Sequence, residues 1–172
     1  LVMAINSDDI DDVKRLINQG VNINATIEDS NIDITGTPLH FAVKKKNKEI
    51  IKLLISKGSN INALDSFSMT PLIAAVSRHS SNPQQDYEIV QLLIARGADI
   101  NATDKWGNPP LAWAPRNSEI EKILRKGGGK TAQELKRLKQ RPIDKLLSAT
   151  VSAKNGDIEA LKQHLASGAN VD

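Results

Sequence analysis

Apolar residues along the chain come in short bursts spaced one to four residues apart, and each burst runs into a glycine. Val13, Leu16 and Ile17 precede Gly20; Ile51, Leu53 and Leu54 precede Gly58; Val90, Leu92 and Leu93 precede Gly97. Such spacing predicts short amphipathic helices. The glycines predict where they stop, because Gly accepts the left-handed backbone that ends a helix. Each glycine also opens the same phrase: Gly20-Val-Asn-Ile-Asn24, Gly58-Ser-Asn-Ile-Asn62 and Gly97-Ala-Asp-Ile-Asn101, at intervals of 38 and 39 residues. A further copy closes the chain as Ile158-Glu-Ala-Leu161 followed by Gly168-Ala-Asn-Val171. Self-similarity at a fixed period is the mark of a repeat architecture.

Between these phrases lie Thr37-Pro38-Leu39-His40-Phe41-Ala42 and Thr70-Pro71-Leu72-Ile73-Ala74-Ala75. On these residues the sequence resembles the ankyrin-repeat family, whose unit of about 33 residues carries Thr-Pro-Leu-His-x-Ala. The first copy matches throughout, and the second departs where Ile73 replaces His. A third, Pro109-Pro110-Leu111-Ala112-Trp113-Ala114, loses both Thr and His, so its repeat is expected to be irregular. The resemblance implies an all-α solenoid of stacked helix-turn-helix units with short turn or hairpin fingers. Each unit is too small to bury its own apolar face, so stacking supplies a continuous aliphatic core. Small residues such as Ala42, Ala74, Ala75 and Ala114 suit close helix approach.

The intervals locate the departures from the family period. About five extra residues fall between Asn24 and Thr37, and about six between Ser77 and Tyr87, while about two are missing around Pro115-Arg116. The expected organisation is an array over 1–129 of about four repeats, the first and fourth irregular, then a closing helix or linker over 130–142. Thr131 and Glu134 read as a capping box for that helix, and Pro142 as its interruption. The Gly-Gly-Lys-Thr phrase here is similar to the closing segment of many bacterial ankyrin arrays. Residues 143–172 read as the truncated first repeat of a second array, since Lys154-Asn-Gly-Asp-Ile-Glu-Ala160 parallels Asn6-Ser-Asp-Asp-Ile-Asp-Asp12. A start at Leu1 and a stop inside a pattern read as a fragment or processed piece.

Composition supports the helical reading. Only two Trp, two Phe and one Tyr are present, 3% of the chain, so the core is built from Leu, Ile, Val and Ala. That argues against β-sandwiches, aromatic-lined pockets and RNA-binding sheets. The chain has no Cys, which removes disulfides, thiolate metal sites and cysteine nucleophiles. This is compatible with a reducing compartment, and a cytoplasmic location is expected. No apolar run reaches the roughly 18 residues that a membrane span needs.

Candidate chemistry is sparse. Gly129-Lys130-Thr131 suggests a phosphate-binding loop, but the motif needs a Gly at position 124, where Leu stands, and a preceding strand. A helix-stop glycine run is the simpler reading. The acids Asp8, Asp9, Asp11 and Asp12 lack the alternation and turn glycine of a calcium loop, and acids at a helix start are favoured by its dipole. His40, His79 and His164 lie far apart; the resemblance assigns His40 to hydrogen bonding between turns. No catalytic residue, cofactor or metal site is expected, and the chain is read as no enzyme. Asn24-Ala-Thr26 and Asn101-Ala-Thr103 fit a glycosylation sequon, which the repeated Asn-Ala phrase explains without secretion.

Charge alternates along the chain: net −5 over 1–33, +5 over 34–64, −3 over 65–104, +7 over 105–145 and −1 beyond. The basic stretch from Arg125 to Arg141 has no interleaved aromatics, so a solvated linker helix is preferred over a nucleic-acid or anionic-membrane contact.

The resemblance places partner contact on the concave face, formed by turn tips and inner helices. Phe67 and Trp106 each lie five residues after the Asn of their phrase, at equivalent tips. Neighbouring Ser66 and Lys105, then Met69 and Asn108 two positions on, complete the tips; Lys44, Lys45, Ser77 and Arg78 fall at the family's variable inner-helix positions. The rings either anchor a partner or pack on each other and stiffen the turns. The function expected is a noncatalytic module that binds an unidentified protein. The alternatives are head-to-tail self-association through residues 143–172, or a targeting arm of a larger enzyme or secreted effector.

Overall fold

Every second helix of the chain begins on a side-chain cap. In the computed structural model, which describes residues 1–29, 34–77 and 82–140, the elements in order are α1 (Val2–Asn6), α2 (Ile10–Asn18), β1 (Ile27–Asp29), β2 (Ile34–Gly36), α3 (Pro38–Lys45), α4 (Lys48–Ser56), α5 (Pro71–Ser77), α6 (Pro83–Ala95), α7 (Pro110–Trp113) and α8 (Glu119–Lys126). Side chains of Asp9, Asn47, Asn82 and Ser118 accept amides in the first turns of α2, α4, α6 and α8. The partner helices α3, α5 and α7 start on Pro38, Pro71 and Pro110, as α6 does on Pro83, and proline's fixed φ suits the first turn. Inner helices (α1, α3, α5, α7) therefore alternate with outer ones (α2, α4, α6, α8) along the chain.

The chain divides into a unit of Leu1–Thr131 and a unit of Ala132–Asp172. In the first, inner helix packs on inner helix and outer on outer, so four helix pairs form a stack. Its core is aliphatic: Leu39, Ile50, Ile51, Leu54, Leu72, Val76, Ile89, Val90, Leu93 and Leu124 are buried. Ala42, Ala74 and Ala75 are buried at the inner-helix contacts, and Ala114 is half-buried. In the second unit a helix, α9, covers 132–140. The expected second array at 143–172 and the Pro142 break lie outside the described residues.

Asparagine ties each repeat to the next. The Asn24 carboxamide accepts the Asn60 amide at 2.8 Å and donates to the Gly58 carbonyl at 3.3 Å. Asn62 accepts the Asp99 amide at 2.8 Å. Asn101 accepts the Lys130 amide at 2.9 Å and donates to the Gly128 carbonyl at 3.2 Å. Gly128 therefore occupies the place of Gly58, with φ near +86° against +90°. The Gly-Gly-Lys-Thr phrase is the fourth copy of the turn, with its Asp-Ile-Asn letters lost. Gly129 is needed for close approach: a Cβ there would lie 2.7 Å from the Leu124 carbonyl oxygen.

Three departures from the period take definite shapes. The extra residues before Thr37 form an antiparallel hairpin, with Ile27 opposite Gly36 and Glu28 opposite Thr35. Much of the insertion before Tyr87 is helix rather than loop. Counting back from Gly58 and Gly97, α6 has 13 residues where α4 has 9, so residues 83–86 are an added first turn. The shortage near Pro115 leaves α7 with 4 residues. Ala114, next to Pro115, takes an extended ψ of 135°, as a residue preceding proline prefers.

Candidate functional site

The turn between an outer helix and the next inner helix projects as a finger, and two aspartates, Asp65 (half-buried) and Asp104 (buried), build the last two. The Asp65 carboxylate accepts the amides of Phe67 and Met69, both at 2.8 Å. Asp104 repeats this with Trp106 and Asn108, both at 2.9 Å. Ser68, with φ +57°, and Gly107, with φ +83°, hold the tight reversal. Adjacent fingers then bond to each other: the Ser66 amide donates to the Thr35 carbonyl at 2.9 Å, and the Lys105 amide to the Phe67 carbonyl at 3.0 Å. The Ser66 hydroxyl also accepts the Thr35 amide at 3.3 Å. The tips thus form one hydrogen-bonded row.

On this row the structure brings Phe67 and Trp106 together. Their ring centroids lie 6.0 Å apart with planes 14° from parallel. The Lys105 ammonium sits over both, 4.1 Å from the Phe67 centroid and 4.7 Å from that of Trp106. Phe67 is half-buried, whereas Trp106 is 59% exposed. A large ring held in place yet open to solvent is ready to bury area on a partner without first losing freedom.

The remaining candidates sit differently. Ser66 and Lys105 are exposed at the tips. Met69 is half-buried, and its carbonyl faces His40 Nε2 at 3.0 Å. Asn108 turns its side chain back towards Asp104 Oδ2 at 3.5 Å. Lys44 (half-exposed) and Lys45 (exposed) end inner helix α3. Arg78 and His79 lie outside the described residues, and Ser77 is half-buried.

His40 shows how the row is braced from beneath. Its Nδ1 accepts the Thr37 amide at 3.2 Å, which leaves the ring proton on Nε2 to donate to Met69. Burial pushes the ring below its ordinary 6.5, outweighing the Met69 bond and the Asp65 charge. A neutral histidine therefore links the base of the hairpin finger to the Asp65 finger. Sequence reasoning did not single out Asp65, Asp104 or Trp113 as the support of the tips. The signal was present: both aspartates stand three residues after the Asn of their phrase. Trp113 donates its indole N–H to Asp104 Oδ2 at 3.0 Å.

Among the described residues no helix is long and apolar enough to cross a membrane. The family profile described as ankyrin repeats (three copies) matches residues 1–104. An ankyrin repeat protein of fowlpox virus (strain NVSL) is 46% identical over 54 residues, covering 29% of this chain and 29% of the relative. A protein of Arabidopsis thaliana, provisionally named an E3 ubiquitin-protein ligase, is 40% identical over 83 residues, covering 48% of this chain and 21% of the relative. A mouse protein named for ankyrin repeat, SAM and basic leucine zipper domains is 33% identical over 81 residues, covering 47% and 16%. The chain thus spans less than a third of the length of each of these relatives. Ankyrin repeats are in general protein–protein interaction modules and generally noncatalytic. With the stacked helix pairs, the finger row and a profile match over more than half its length, this chain belongs to the ankyrin-repeat family.

Proposed function

We propose that the chain is a noncatalytic recognition module that binds a protein partner through the finger row and the inner-helix face, with Phe67 and Trp106 as its anchor. The observation that carries this reading is the exposed Trp106 ring, stacked near Phe67 and fixed through its own amide to buried Asp104. Aromatic residues held rigid at a surface are over-represented among the residues that dominate binding energy. The mutual packing of the rings is compatible with this role, because it fixes the anchor before the partner arrives. The names of the plant and mouse relatives favour a recognition segment joined to other functional parts.

The test is capture from lysate, with partners identified by mass spectrometry, by the native chain and by a Phe67→Ala/Trp106→Ala variant. The variant is expected to lose the partners retained by the native chain. Its helical circular dichroism should be unchanged, and its stability lower by only about 1 kcal/mol, the scale of one aromatic pair. Equal capture by both proteins removes the rings from the binding face.

A further inference from the structure

Charge is sorted across the stack. The outer helices hold their acids in ion pairs with neighbouring cations, among them Asp11 with Lys14, Glu49 with Lys52, Glu88 with Lys48 and Glu119 with Lys122. Asp65 and Asp104 are turned into their own fingers, accepting amides. The inner helices α1, α3, α5 and α7 contain no acidic residue, and α3 ends on Lys44 and Lys45. Lys105 stands at the tip beside both rings. Among the described residues, Lys45 and Lys105 are exposed and enter no ion pair.

We propose that this face takes an extended acidic peptide segment of a partner protein, with one apolar side chain on Phe67 and Trp106 and its carboxylates towards Lys105 and Lys45. The proposal rests on the binding face argued above and adds the chemistry of its occupant. The two exposed lysines set the span of the ligand, from Lys105 at the tip beside the rings to Lys45 at the end of inner helix α3. The α3 helix has 8 residues, about 12 Å at 1.5 Å per residue. An extended chain advances about 3.3 Å per residue, so the segment must run at least about four residues past its anchor to reach Lys45. A single nucleic-acid strand is the poorer fit. The rings already face each other and carry Lys105 over both, and two lysines are not a track for a regular run of phosphates.

The experiment pans a random dodecapeptide display library on the full chain, then measures fluorescein-labelled selected peptides by anisotropy. The expected winners combine an apolar or aromatic residue with several Asp or Glu. Lys105→Glu and, separately, Lys45→Glu should each weaken binding about tenfold at low salt, with circular dichroism and the urea midpoint held. Lys45 touches neither ring, so its variant isolates charge from stacking. Affinity should also fall as salt rises, because exposed charges are screened. Winners that need Phe67 and Trp106 but are neutral or basic overturn this proposal and leave the binding face standing, as does indifference to both charge reversals. Winners that bind the double alanine variant equally well overturn the face itself. Failure to select any binding peptide, or tighter binding of an oligo(dT) strand than of any winner, also overturns the acidic-peptide proposal.

Discussion

Asp104 spends both carboxylate oxygens on the last finger. Oδ1 fixes the tip through the Trp106 and Asn108 amides, and Oδ2 fixes the base through the Trp113 indole. In the preceding repeat Asp65 performs the first task, and the position matching Trp113 is Ala74. The larger ring therefore comes with the shortest inner helix, where a second fixing point is most useful. Asp104 is only 4% exposed, so removing it strands several donors. Asp104→Ala is expected to destabilise the chain by about 2–4 kcal/mol in urea unfolding. Asp104→Asn should fall between, since one acceptor survives and one becomes a donor facing a donor. His40 supplies a pH dependence. Its folded pKa lies below 6.5, so on acidification the unfolded chain takes up a proton that the folded chain refuses. Stability should fall as pH drops through 6.5 towards the lowered value, and a His40→Asn variant should lose that part of the slope in thermal melts. The carboxylates of Glu49 and Glu88, held down by Lys52 and Lys48, and of Glu121, held down by the Asn117 amide and then by Arg125, start from 4.5 and act at lower pH.

At the scale of elements, the irregular segments do the specific work of joining repeats. The added first turn of α6 reaches the end of α3: Gln85 Nε2 donates to the Lys46 carbonyl at 3.1 Å, and the Lys46 ammonium pairs with Asp86. The two side chains are 18% and 5% exposed, so this pair is shielded in a way the outer-helix pairs are not. Asp86→Ala is expected to lower stability by about 2–3 kcal/mol in urea, towards the lower end for a buried pair because Lys46 keeps some solvent. Lys52→Ala, which breaks an exposed pair, should change it by under about 1 kcal/mol. The helix stops were legible in the sequence because only glycine takes the left-handed turn cheaply. The added turn was legible only as surplus length, since nothing in the period says whether extra residues coil or wind. Gly128 was legible as a stop but not as a repeat. Its identity lies in backbone angle and in the two bonds to Asn101, which do not depend on the lost letters.

For the molecule as a whole, stacking four helix pairs produces two different surfaces from one short pattern. The outer helices are amphipathic and laced with local ion pairs. The inner helices give a face without acids, bordered by the finger row. Residue types made the tips of Phe67 and Trp106 visible in advance, because both fall at one register of the repeat. Their stacking and the shared ammonium of Lys105 follow from the distance between successive repeats, which a single chain of letters does not contain. The most direct measurement uses the chain's two indole N–H signals in a nitrogen-15 correlation spectrum, recorded during titration with a captured partner segment. Trp106 is exposed at the tip, while the Trp113 indole is held by Asp104. The Trp106 signal is expected to shift progressively to saturation, while Trp113 stays close to its free position. A Trp106 signal that does not move while the segment binds would contradict Trp106 as an anchor.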